Sequence, residues 1–69
     1  MSYLILTRTV RQRITLHVDA NVDAESMLHN LRTEGISIDI TAMERRQVKL
    51  GIAAPRGVTI LRAELAGRR

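Results

Sequence analysis

Sixty-nine residues make one domain at most, residues 1–69, and a core that small rarely supplies more than about 3–5 kcal/mol. With no cysteine and only His17 and His29 as soft ligands, disulfide and structural-zinc stapling are excluded, which leaves association with another chain, through an open strand edge, as the stabiliser. Eleven Lys/Arg against seven Asp/Glu give a net charge of +4, and ten of the eleven cations are arginine, the side chain best suited to planar bidentate contacts with phosphates and bases.

The first element lies in "YLILT", whose apolar run Tyr3–Leu6 does not alternate and predicts a strand covered on both faces. "TVRQR", Thr9–Arg13, connects it to a second strand, in which Ile14, Leu16 and Val18 alternate with Thr15 and His17. "NVDAESMLHNLRTEG" then breaks the period of two and predicts a helix over about 23–34. Asp23 is placed to cap it, Glu25 favours its first turn, and Val22 before the cap is set to staple onto Met27. Met27, Leu28 and Leu31 form a narrow apolar stripe for core or dimer packing, and Gly35 fits the position just past the helix, with Ile36 beyond it for a hydrophobic contact.

Two half-buried strands follow, one with Ile36, Ile38 and Ile40 alternating with Ser37 and Asp39, the other with Val48, Leu50 and Ile52 alternating with Lys49 and Gly51. The link between them, "MERRQ" (Met43–Gln47), lacks the Gly or Asn of a primed two-residue turn. It predicts a longer turn, or Arg45 or Arg46 in an uncommon backbone conformation. Pro55-Arg56-Gly57 is turn chemistry, with Gly57 permitting close approach of another backbone. In the fifth strand Val58 and Ile60 share one face, Thr59 and Leu61 the other, and Arg62 extends the first face to the rim. Residues 66–69 read as a flexible tail. The fold class is mainly β with one helix, in the order β–β–α–β–β–β.

Enzyme chemistry finds no purchase: there is no Gly-rich phosphate loop, no HExxH and no cysteine nucleophile, and the carboxylates are scattered. His17 and His29 fall on polar faces and Ser26 in the first helical turn, where solvent-facing and helix-start roles suffice. A basic domain of this size fits a polyanion. Tyr3 alone cannot form the aromatic platform of an RNA-recognition motif or an OB-fold. The main chain of an edge strand offers another route, because its alternating N–H and C=O groups match the O6 acceptor and the N1–H and N2–H donors of guanine.

In order and spacing, "LILTR" (Leu4–Arg8), "QVKLGI" (Gln47–Ile52) and "APRGVTILR" (Ala54–Arg62) resemble the signature segments of the carbon storage regulator family, the CsrA/RsmA translational repressors, where the corresponding stretches read approximately LILTR, QVRIGV and APKEVAVHR. A helix between strands two and three, instead of after the fifth, resembles the RsmN (RsmF) branch, and the short remainder after Arg62 agrees. The resemblance implies an interlocked β-rich homodimer with two equivalent RNA sites. It implies binding of GGA in hairpin loops of mRNA leaders and small RNAs, and repression by blocking ribosome access. By position, Leu6, Thr7 and Arg8 supply one side of each site. Ala54, Pro55, Arg56, Gly57, Val58, Ile60, Leu61 and Arg62 supply the other, with Arg62 matching the family's most important RNA-contacting arginine and Arg56 keeping the charge of its usual lysine. No cofactor, metal or small-molecule substrate is implied.

Several positions depart from the family pattern. Gly57 and Ala63 replace acids, Leu61 replaces a histidine, Arg11-Gln12 stands where Gly-Glu is common, and the Gly-Asn turn is replaced around Glu44–Arg46. With no signal peptide, lipidation motif or transmembrane run visible, the expected location is cytoplasmic. Two other readings stand beside this one, a small β-ribbon DNA-binding dimer and a strand-edge protein-interaction module. Arg62 also has a plain reading, a rim charge paired with Glu64 or Glu34, and Arg45, Arg46, Arg68 and Arg69 read as solvated charges.

Overall fold

The computed structural model describes residues 2–64. The elements are β1 (Ser2–Thr9), β2 (Gln12–Val18), α1 (Ala24–Thr33), β3 (Ser37–Glu44), β4 (Gln47–Ala54) and β5 (Val58–Glu64), the order that periodicity predicts. They form two antiparallel sheets, β1-β4-β3 with β4 in the centre, and the pair β2-β5.

Register explains how apolar residues are gathered. In the larger sheet Leu4, Leu6 and Arg8 stand opposite Ile52, Leu50 and Val48, and Ile38, Ile40 and Met43 continue that face across β3. Directly opposed residues share a face, so of these nine positions Arg8 alone is not apolar. Thr41 is the extra residue of a bulge between Ile40 and Ala42, and its hydroxyl donates to the Lys49 carbonyl at 3.2 Å. On the opposite face Tyr3 lies over Gly51: a Cβ at that position would stand 2.8 Å from the phenol ring, so the ring takes the space a side chain would occupy.

Cover within the chain is uneven. Leu6, Met27, Ile52, Ala54 and Pro55 are buried, whereas every residue of β3 is exposed. The half-buried pattern expected of β3 is therefore not realised inside one chain. Nor is β1 covered on both faces, since Tyr3 and Ile5 are more than half exposed.

The helix follows its sequence signals closely. The Asp23 carboxylate accepts the Ser26 N–H at 2.9 Å, Glu25 lies in the first turn and Arg32 in the last. At the other end the Glu34 and Gly35 N–H groups donate to the Asn30 carbonyl at 2.8 and 3.3 Å, and Gly35 takes the left-handed φ of 71°. The expected stripe splits: Met27 is buried and Leu28 is 50% exposed.

Two connections are tighter than their composition favours. The β3–β4 link is only Arg45–Arg46 and is closed by putting Arg45 at φ 46°, the second of the two expected alternatives. The β1–β2 link is only Val10–Arg11, with Arg11 at φ 72°, at the position where a glycine is common in the carbon storage regulator pattern. A Cβ in this region costs roughly 1–2 kcal/mol relative to glycine. The tail at 66–69 lies outside the described residues.

Candidate nucleic-acid interface

β1 and β5 pair with only one strand each, β1 with β4 and β5 with β2, so each leaves an edge without a strand partner among the described residues. They also run in the same sense between the same two ends of the chain's fold. Ser2 is opposite Ala54, from which the Pro55–Gly57 corner leads into β5. At the far end Arg8 precedes the Val10–Arg11 link to Gln12, which stands opposite Glu64. The six steps from Ser2 to Arg8 cover about 20 Å.

The residues expected to bind a ligand divide between the two ends of this track. Ala54, Pro55, Arg56 and Gly57 form the corner at one end, and Thr7, Arg8 and Arg62 stand towards the other. Thr7, Arg56, Leu61 and Arg62 are exposed, while Arg8, Gly57, Val58 and Ile60 are half-buried. The side chains of Leu6, Ala54 and Pro55 are buried, so they act on a ligand only by shaping the main chain beside it.

Arg62 stands opposite Ile14 and shares its face with Val58 and Ile60, as alternation requires. Its guanidinium has no hydrogen bond or ion pair to any described residue, so the pairing with Glu64 or Glu34 is not made. Arg8 is more constrained: its Nε donates to the Thr7 carbonyl at 2.7 Å, which folds the guanidinium back along the strand. Leu61 lies on the other face, opposite Thr15, so its replacement of a histidine falls away from the Arg62 side.

The corner is held from outside the strands. The Asp19 N–H donates to the Gly57 carbonyl at 2.8 Å, and the Thr59 hydroxyl donates to the Asp19 carboxylate. Gly57 has φ 90°, and a Cβ there would stand 2.6 Å from Val22 and 2.9 Å from Met27. A backbone does approach Gly57 as expected, but the space above it is filled by the two residues of the proposed staple at the helix start. Both the φ and the filled space suit glycine at this position. At the same helix start the Ser26 N–H, aided by its hydroxyl, holds the Asp23 carboxyl below the ordinary range.

The chemistry of the site is therefore main-chain edges, arginines and apolar surface. Among the described residues, no three His, Cys, Asp or Glu side chains are grouped to hold a metal ion, and no helix is long and apolar enough to cross a membrane.

A match to CsrA, described as a global regulator protein family, spans residues 3–69. The chain belongs to the CsrA family. A search of the curated proteins returned no match. CsrA membership places the chain among RNA-binding regulators of translation and not among enzymes. Set against that role, the family resemblance points to Arg8 and Arg62, and two other features carry no signal in it. The contact of Val22 and Met27 with Gly57 is long-range in sequence and has no local signal. Arg45 and Arg46, read as solvated charges, line a groove together with Arg8. The missing turn glycine was the available clue.

Proposed function

We propose that the chain is a homodimeric, RsmN-like post-transcriptional regulator that binds GGA in hairpin loops of mRNA leaders and small RNAs and represses translation by blocking ribosome access. CsrA membership supports RNA as the ligand, and the position of α1 between β2 and β3 supports the RsmN-like branch. A second copy is the natural cover for Ile38 and Ile40, which β3 leaves open, because a chain of this size lacks the means to offset that exposure alone. In this reading each site draws on one β1 and one β5, whose edges are open in the single chain. Guanine is read by the main chain of the edge, with Arg8, Arg56 and Arg62 holding phosphates.

The observation that carries this reading is the Arg62 guanidinium, exposed and unengaged by any described residue at the end of an apolar strand. Arg62→Ala should abolish or strongly weaken binding to a GGA hairpin in a gel shift while sedimentation still reports a dimer. Duplex DNA included as competitor should not displace the hairpin. Undiminished binding by the variant, or preference for the duplex, overturns the assignment.

A further inference from the structure

At the end of the larger sheet a shallow groove of about 340 Å³ runs between the Arg45–Arg46 turn and the end of β1. Arg8, Arg45 and Arg46 line it, with the exposed side chains of Val10 and Met43 at its sides. Glu44 is the carboxylate adjoining the turn, yet neither Arg45 nor Arg46 makes an ion pair or hydrogen bond with it or with any other described residue. Three arginines thus line one groove, and no carboxylate stands among its described lining residues.

A second observation is independent of charge. Among the described residues, Arg11 and Arg45 are the non-glycine residues with positive φ, and Arg45 stands in the groove wall. Glycine relieves such a conformation, so arginine at position 45 keeps a cation in the groove wall at the expense of backbone strain. Strain of this kind persists where function retains it. The groove also shares Arg8 with the proposed loop site, so a ligand held there continues directly into it.

We propose that this groove is a second phosphate-binding surface, which holds the sugar-phosphate backbone of the hairpin stem beneath a bound loop. It presupposes the RNA-binding reading above and deepens it. Binding of this type is independent of sequence and scales with the length of stem offered.

The test compares two RNAs, a GGA loop on a long stem and a single-stranded GGA oligomer, with the parent and the variant Arg45→Gly/Arg46→Gln. For the stemmed RNA the variant should bind about two- to thirtyfold more weakly, the value of two exposed ion pairs. The log–log salt dependence should become shallower by roughly 0.7–0.9 for each phosphate that the variant no longer neutralises. Binding of the oligomer should not change, and the variant should melt at or above the parent's temperature, because glycine relieves the strain at position 45. Equal weakening for both RNAs, or none for either, overturns the groove while the loop-binding reading stands. A parent that binds neither RNA overturns both. If the variant melts lower and binds both RNAs less, the turn has only a structural role and the groove proposal is wrong. Arg62→Ala, which should bind neither RNA well, separates the two sites.

Discussion

β3 and β4 carry nearly the same apolar alternation and meet opposite fates. Ile38 stands opposite Ile52 and Ile40 opposite Leu50 on one face of one sheet. Ile52 is fully buried, whereas Ile40 is 67% exposed. The difference lies in position and not in composition. β4 is central, flanked by strands on both sides, while β3 is the edge. Alternation states which face needs cover; it does not state which chain supplies it.

The sharpest way to break this comparison is Ile40→Asp. With β3 covered by a second protomer, each copy gains a buried unpaired carboxylate, at about 3–5 kcal/mol apiece. The protein should then sediment as a monomer and lose its cooperative thermal transition at micromolar concentration. If β3 faces solvent in the working molecule, the change stays within about 0.5 kcal/mol and sedimentation does not move. On the covered side, Gly57→Ala should lower stability by about 2–4 kcal/mol, because it combines an unfavourable φ with overpacking against Val22 and Met27. Urea denaturation reads this directly, and an unshifted midpoint contradicts the packing described at the corner.

The smallest effect concerns the helix start. The Asp23 carboxyl is held below its ordinary value in the folded chain, first by the Ser26 N–H and then by the Ser26 hydroxyl. Its contribution is therefore present above the unfolded value and lost as pH falls through the folded one. Asp23→Asn keeps the capping acceptor but removes the titration. Helical circular dichroism followed into acid should fall less steeply for the variant, with little change at neutral pH.

Much of the fold was legible because its signals are local. Alternation marked β2, β4 and β5, and the helix announced itself through Asp23, Glu25 and Gly35. What could not be read were the relations between distant segments. Leu28 and Met27 are adjacent in one apolar stripe, and nothing in their spacing says that Met27 meets Gly57 while Leu28 remains open. The candidate site was legible at Arg8 and Arg62 through the family blocks. The residues around the β3–β4 turn were not, because a charge's neighbours depend on how strands register and not on what flanks it in the chain.

The corner at Gly57 makes the inserted helix and the bare backbone one transferable unit. A side chain at position 57 and the seated pair Val22 and Met27 claim the same space. A graft of the helical segment onto a strand that carries a side chain at the equivalent corner would therefore need the glycine as well.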